Sequence, residues 1–178
     1  YMDEGLDTGD MILKTEVNLD ENITAGELHD KMMNIGAETL KETLRLIEEG
    51  NAPREVQNHE VQNHEEFSYA PIMNKSLGNI DFSKSAREIH NLVRGVNPWP
   101  SAYTTYNDVI MKVWKTKVLD EKSTKDVGTI IDVSKDGIKV STIDNVLLIE
   151  EIQMPNKKRM LVGEYIKGNT IETGLVLG

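Results

Sequence analysis

Val127-Gly128-Thr129-Ile130-Ile131-Asp132-Val133, Ile138-Lys139-Val140-Ser141-Thr142-Ile143 and Val146-Leu147-Leu148-Ile149-Glu150-Glu151-Ile152 follow one another with only short polar breaks between them. The breaks hold turn formers, Lys135-Asp136-Gly137 and Asp144-Asn145. Runs this short, rich in β-branched residues and punctuated in this way, are strands rather than helices. Just upstream, Val109, Met111 and Val113 alternate with polar neighbours, the period of two that a half-covered strand shows. Several short strands at close spacing predict a small antiparallel barrel. Met160–Lys167 is expected to form a short helix ending at Gly168, and Gly174-Leu175-Val176-Leu177 is a last apolar stretch.

Upstream of the barrel the period changes to that of a helix. A short helix is expected to start at Ser83 or Ser85, where Ser85-Ala86-Arg87-Glu88 is a capping box, and Ile89, Leu92 and Val93 continue one apolar face as far as Gly95. In Asn97-Pro98-Trp99-Pro100 two prolines fix the backbone around a large ring. Trp99 and Trp114 read as packing residues, and His90, on the apolar side of the short helix, as a structural histidine. Residues 51–80 form a linker containing a direct repeat, Glu55-Val56-Gln57-Asn58-His59 followed by Glu60-Val61-Gln62-Asn63-His64. Its two histidines have no cluster of further ligands nearby, so a tandem loop duplication explains them better than a metal site.

A longer helix is predicted over residues 24–49. It opens with the capping box Thr24-Ala25-Gly26-Glu27, carries Leu28, Met32, Ile35, Leu40, Leu44 and Ile47 as an apolar stripe, and ends at Gly50. That stripe requires a cover, and packing on the barrel or self-association with a second copy would supply one. Met11-Ile12-Leu13-Lys14-Thr15-Glu16-Val17 reads as one strand before it, and a lone strand with nothing ahead of it is expected to be the cut edge of a larger sheet.

Bulk properties narrow the function classes. Residues 1–60 hold 5 Lys/Arg against 15 Asp/Glu, whereas residues 101–178 hold 11 of each, so only the last third can offer phosphates a positive surface. The absence of cysteine excludes disulfides and thiolate chemistry. The longest apolar runs are far too short to cross a bilayer, and no signal pattern opens the chain, which makes a soluble, cytoplasmic protein the expectation.

Leu6-Asp7-Thr8-Gly9-Asp10 before an apolar strand resembles the folate-loop motif of enzymes that use 10-formyltetrahydrofolate. Tyr69-Ala70-Pro71, Ile80-Asp81-Phe82-Ser83-Lys84-Ser85-Ala86 and Ile89-His90-Asn91-Leu92-Val93-Arg94-Gly95-Val96-Asn97-Pro98-Trp99-Pro100 look like the linker of methionyl-tRNA formyltransferases. Gly128-Thr129-Ile130 and Lys157-Lys158-Arg159-Met160 extend the likeness into the barrel. The resemblance implies a mixed α+β chain. Residues 1–50 would be the end of a Rossmann-like formyltransferase domain, 51–80 a linker, and 81–178 an OB-fold-like antiparallel β-barrel with a leading short helix.

It also implies a reaction and a set of roles. A formyl group passes from 10-formyltetrahydrofolate to the amino group of methionyl initiator tRNA in translation initiation, with no metal required. Asp7 matches the catalytic aspartate. Asp3, Glu4, Gly5, Leu6 and Gly9 would surround the folate, while Asp10 reads as a turn residue. Lys157, Lys158, Arg159, Lys115 and Lys117 would meet the tRNA, Lys115 and Lys117 from one face of a strand. The family's folate-gripping segment and its asparagine and histidine are not in this sequence, so the chain is expected to be an inactive fragment by itself. The rival readings are a sugar-nucleotide formyltransferase, the hydrolase portion of formyltetrahydrofolate dehydrogenase, and a non-catalytic RNA-binding module. A positive barrel face would favour the tRNA enzyme over one with a small substrate.

Overall fold

A computed structural model describes residues 1–5, 8–57 and 70–178. The histidine repeat lies mostly outside the described residues, which resume at Ala70. Asn22–Gly26 with Met73–Gly178 form one compact unit, and Tyr1–Glu21 with Glu27–Ile72 form another.

The larger unit is built on an antiparallel sheet. Its strands are β1 (Ala102–Tyr106), β2 (Val109–Leu119), β3 (Ile130–Ser134), β4 (Gly137–Ser141), β5 (Val146–Gln153) and β6 (Met160–Leu161). The order across the sheet is β1-β2-β5-β4-β3, with β6 attached to β5. The central strand, β5, is nearly continuous in apolar residues because Val146 and Leu148, on the side away from the core, are covered as well. One strand is added to those read from the sequence, and one expected helix changes. Ala102-Tyr103-Thr104-Thr105-Tyr106, whose polar residues conceal its alternation, forms β1. Met160–Lys167 is not one helix: Met160 and Leu161 pair with Ile152 and Glu151, and only Val162–Tyr165 (α3) is helical. The reason lies in the register of β4, which reaches only Val146–Ile149 and leaves the far half of β5 an edge for β6 to take.

The C-terminal stretch connects the two outer strands. Gly174, Leu175, Val176 and Leu177 pair with Gly128–Ile130, and Gly178 exchanges two backbone hydrogen bonds with Thr105 of β1. Gly128 adopts φ +80°, and a Cβ there would lie 2.7 Å from the Leu177 carbonyl oxygen, so glycine is what permits this approach.

Helix α2 (Ala86–Gly95) closes the core from one side. Ala86, Ile89, His90 and Val93 are buried at i, i+3, i+4 and i+7, on the face turned toward β2 and β5. Its capping box forms as the sequence predicts, between Ser85 and Glu88. Asp144, in the β4–β5 turn, adds a second cap, accepting the Ala86 N–H at 2.8 Å. His90 is buried, with Nδ1 3.0 Å from the Thr116 hydroxyl, a structural role. Trp99 is not core: it is 53% exposed.

The smaller unit consists chiefly of α1 (Ala25–Glu48), followed by Gly50 at φ +71°. Leu28, Ile35 and Leu46 are half-buried, and the Thr15 and Thr39 hydroxyls meet at 2.7 Å. Met32, Leu40, Leu44 and Ile47 remain exposed, and no residue of the helix is buried within this chain. The strand expected at 11–17 is also absent. Met11 forms a single bridge with Glu55, and residues 13–20 find no ladder partner among the described residues.

Candidate functional site

The loop at the start of the chain is held by backbone and by polar side chains. Glu55 and Met11 exchange backbone hydrogen bonds at 2.8 and 2.9 Å, and the Gln57 amide donates to the Gly9 carbonyl at 2.7 Å. Arg54 contacts Asp10 at 3.2 Å and lies 3.9 Å over the Tyr1 ring. Asp10 is thereby tied into the turn, as its sequence reading anticipates. Asp3 accepts the Glu4 N–H at 2.8 Å. A Cβ on Gly9 would fall 1.8 Å from the Tyr1 carbonyl oxygen, so this position admits no side chain. Asp3, Gly5, Thr8 and Gly9 border an open cleft of about 500 Å³. Asp7 and Leu6 lie outside the described residues.

The second cluster of candidate residues sits on the outer face of the sheet. Strict alternation along β2 would set Lys112 on the face opposite Lys115 and Lys117. The strand contains a bulge at Trp114–Lys115, where its pairing with β5 slips. Met111 and Val113 point into the core before the bulge, and Thr116 and Val118 point inward after it. Lys112, Trp114, Lys115 and Lys117 therefore share the outer face.

Trp114 is half-buried there, and its indole N–H donates to Gln153 Oε1 at 3.2 Å. The Arg159 guanidinium stands 4.8 Å from the ring centroid and the Lys112 ammonium 5.7 Å, both within cation–π range. Arg159 also bonds Glu151 at 2.6 Å, and this hydrogen bond holds the guanidinium above its ordinary pKa against the opposing effect of burial. Lys115 pairs with Glu150 at 3.2 Å. Lys157 enters the cluster through its backbone, where its carbonyl accepts from Gln153 Nε2 at 3.1 Å. The structure thus brings Arg159, Lys115 and the turn at Lys157 to one surface. It adds two residues that strand alternation conceals, Lys112 and Trp114; the signal for them is the consecutive outward pair Trp114-Lys115 in an otherwise alternating run.

Among the described residues no group of three or more His, Asp or Glu side chains could hold a metal, and no helix is long and apolar enough to cross a membrane.

Residues 72–170 match the family model for the formyl transferase C-terminal domain. The chain is 97% identical over 178 residues to a methionyl-tRNA formyltransferase of Clostridioides difficile (strain 630), covering all of this chain and 56% of that protein. It is 53% identical over 176 residues to the methionyl-tRNA formyltransferase of Clostridium perfringens (strain SM101 / Type A), covering 99% of this chain and 55% of that one. The chain therefore spans about half the length of the curated relatives it matches. Among solved structures, HypX from Aquifex aeolicus in complex with tetrahydrofolic acid aligns with a TM-score of 0.63 at 15% identity, over 97% of this chain and 32% of that one. WlaRD, a sugar 3N-formyl transferase, aligns at 0.60 and 22% identity, over 88% of this chain and 53% of that one. At these identities the structural likenesses speak for the fold. With a family match over more than half its length, and an antiparallel sheet in the matched region, this chain belongs to the formyl transferase family and carries its C-terminal domain.

Proposed function

We propose that this chain is the downstream part of an enzyme that transfers a formyl group from 10-formyltetrahydrofolate to the amino group of methionyl initiator tRNA. The observation that carries this reading is the near-identity to a relative bearing that name. In this reading residues 1–50 end a Rossmann-like catalytic domain, 51–80 link it, and 81–178 form an OB-fold-like barrel that meets the tRNA in the cytoplasm. The exposed apolar side of α1 supports the first assignment, since a helix face of that kind calls for a partner surface. The closure of the two outer strands by residues 174–178 supports the last.

The attacking amine must lose a proton, the tetrahedral intermediate carries an oxyanion, and the departing folate nitrogen must gain a proton. Asp7 is suited to organise and relay those protons. Asp3, Glu4, Gly5, Leu6 and Gly9 would hold the folate. A cleft of about 500 Å³ beside Asp3, Gly5 and Gly9 is within the size of small-molecule sites. Lys115, Lys117, Lys157, Lys158 and Arg159 would face the tRNA. A lysine- and arginine-bearing sheet face favours this acceptor over a sugar nucleotide, which needs no extended positive surface.

The test is formylation of methionyl initiator tRNA by the full-length protein. Asp7→Asn should lower kcat by about 10²–10⁴-fold with tRNA affinity retained, and the 178-residue chain should show no turnover. Activity preserved in the variant would remove Asp7 from its role. Turnover by this chain alone would overturn the division of labour between its parts.

A further inference from the structure

We propose that Trp114 is a pedestal that positions Arg159 and Lys112 for the phosphate backbone of folded RNA, and that it is not a platform for unpaired bases. The inference rests on the RNA-binding reading above and assigns two residues that reading does not include, Lys112 and Trp114.

A tryptophan that stacks a base needs a free ring face. At Trp114 a guanidinium occupies a position 4.8 Å from the centroid and an ammonium one 5.7 Å away, the ring is half-buried, and its N–H is committed to Gln153. What the ring presents to an incoming ligand is therefore positive charge. Cation–π attraction limits the conformations of both long side chains before RNA arrives, which reduces the ordering cost of making a phosphate contact. Glu151 accepts from Nη2 of Arg159, the one guanidinium nitrogen for which a partner is found among the described residues, so further donors of the fork are available for an anion.

The bulge extends this charge along the strand. It places Lys117 on the face that carries Lys112, with Trp114 between them. Five residues of strand span about 16 Å, long enough to follow successive phosphates rather than one. Contacts of this kind set register and orientation and carry no sequence information. The chemistry thus fits paired RNA of any sequence.

The experiment measures binding of the 178-residue chain to a labelled RNA hairpin and to oligo(U), by anisotropy across a salt series. The wild type should prefer the hairpin. Trp114→Leu should weaken hairpin binding about three- to fivefold, the scale of the lost cation–π contacts. Trp114→Phe, which keeps a ring face, should restore most of that loss. Arg159→Ala and Lys112→Ala should each make the dependence on log salt shallower by about one. Glu151→Gln, which frees Arg159 from its counter-ion, should strengthen binding and steepen that dependence; it gives an independent reading should Trp114→Leu fail to fold. A preference for oligo(U), or unchanged binding in Glu151→Gln, would overturn the pedestal. A wild type that binds the hairpin while Trp114→Leu binds it equally well defeats this inference alone. A wild type that binds neither RNA defeats the tRNA-binding reading along with it.

Discussion

The two units of this chain make opposite use of helices. α1 is 24 residues long, yet none of its residues is buried. α2 has 10 residues and buries four of them. Every buried hydrophobic side chain among the described residues lies from Ile80 onward. The difference shows that periodicity and caps are enough to define a helix, whereas its stability in a protein comes mainly from what its apolar face packs against.

The contrast between the two units is largest in the core. Ile149 and Ile138 face each other across β5 and β4 with no exposed surface. Ile149→Ala should cost about 2–5 kcal/mol in chemical denaturation; a loss below 1 kcal/mol would mean that the larger unit is not the stable body described.

At the next level, Asp144 caps α2 from the β4–β5 turn. Its carboxyl is held below the ordinary carboxylate range, first by the Ala86 N–H and then by Asn145 and Thr142, against the opposing effect of burial. Asp144→Ala should remove about 1 kcal/mol at neutral pH. A carboxylate with a depressed folded pKa contributes above its unfolded pKa and loses that contribution as pH falls through the folded value. The gap between wild type and variant should therefore be full at pH 7 and narrow once the pH drops below about 4. A gap that stays constant from pH 7 to pH 3 would assign the effect to packing.

The smallest expected change is in the other unit. Leu40, 59% exposed on α1, should tolerate serine within about 0.5 kcal/mol. A loss comparable to that of Ile149→Ala, together with a concentration-dependent Tm, would show instead that α1 pairs with a second copy of the chain.

Much of the fold is legible in the residues because it rests on local signals. The capping box at Ser85, the runs at Val127–Val133, Ile138–Ile143 and Val146–Ile152, and the left-handed stop at Gly50 each depend on a few neighbouring side chains. What is not legible depends on partners distant in sequence. β1 is a strand because β2 and Ile80 bond to it, although its own residues are mostly polar. Met160-Leu161 becomes β6 because β4 ends early. The surface candidates follow the same rule. Lys115, Lys117 and Arg159 stand out as charges, but the bulge that sets Lys112 and Trp114 beside them is a property of strand pairing and cannot be read from alternation. The aspartate of the loop motif, Asp7, is legible only through resemblance, since acidic residues in glycine-containing turns are common.

The stretch from Gly174 to Gly178 occupies backbone groups of β3 and of β1, and Asn79 and Ile80 take up those of Tyr103. Outer strands with idle hydrogen-bonding groups are templates on which neighbouring molecules assemble into extended aggregates. Here that hazard is reduced from within the same chain, alongside the exposed charge of Asp132 on β3. A solution of this protein that clouds on standing should therefore do so through the greasy side of its long helix, and detergent or substitution aimed there should clear it.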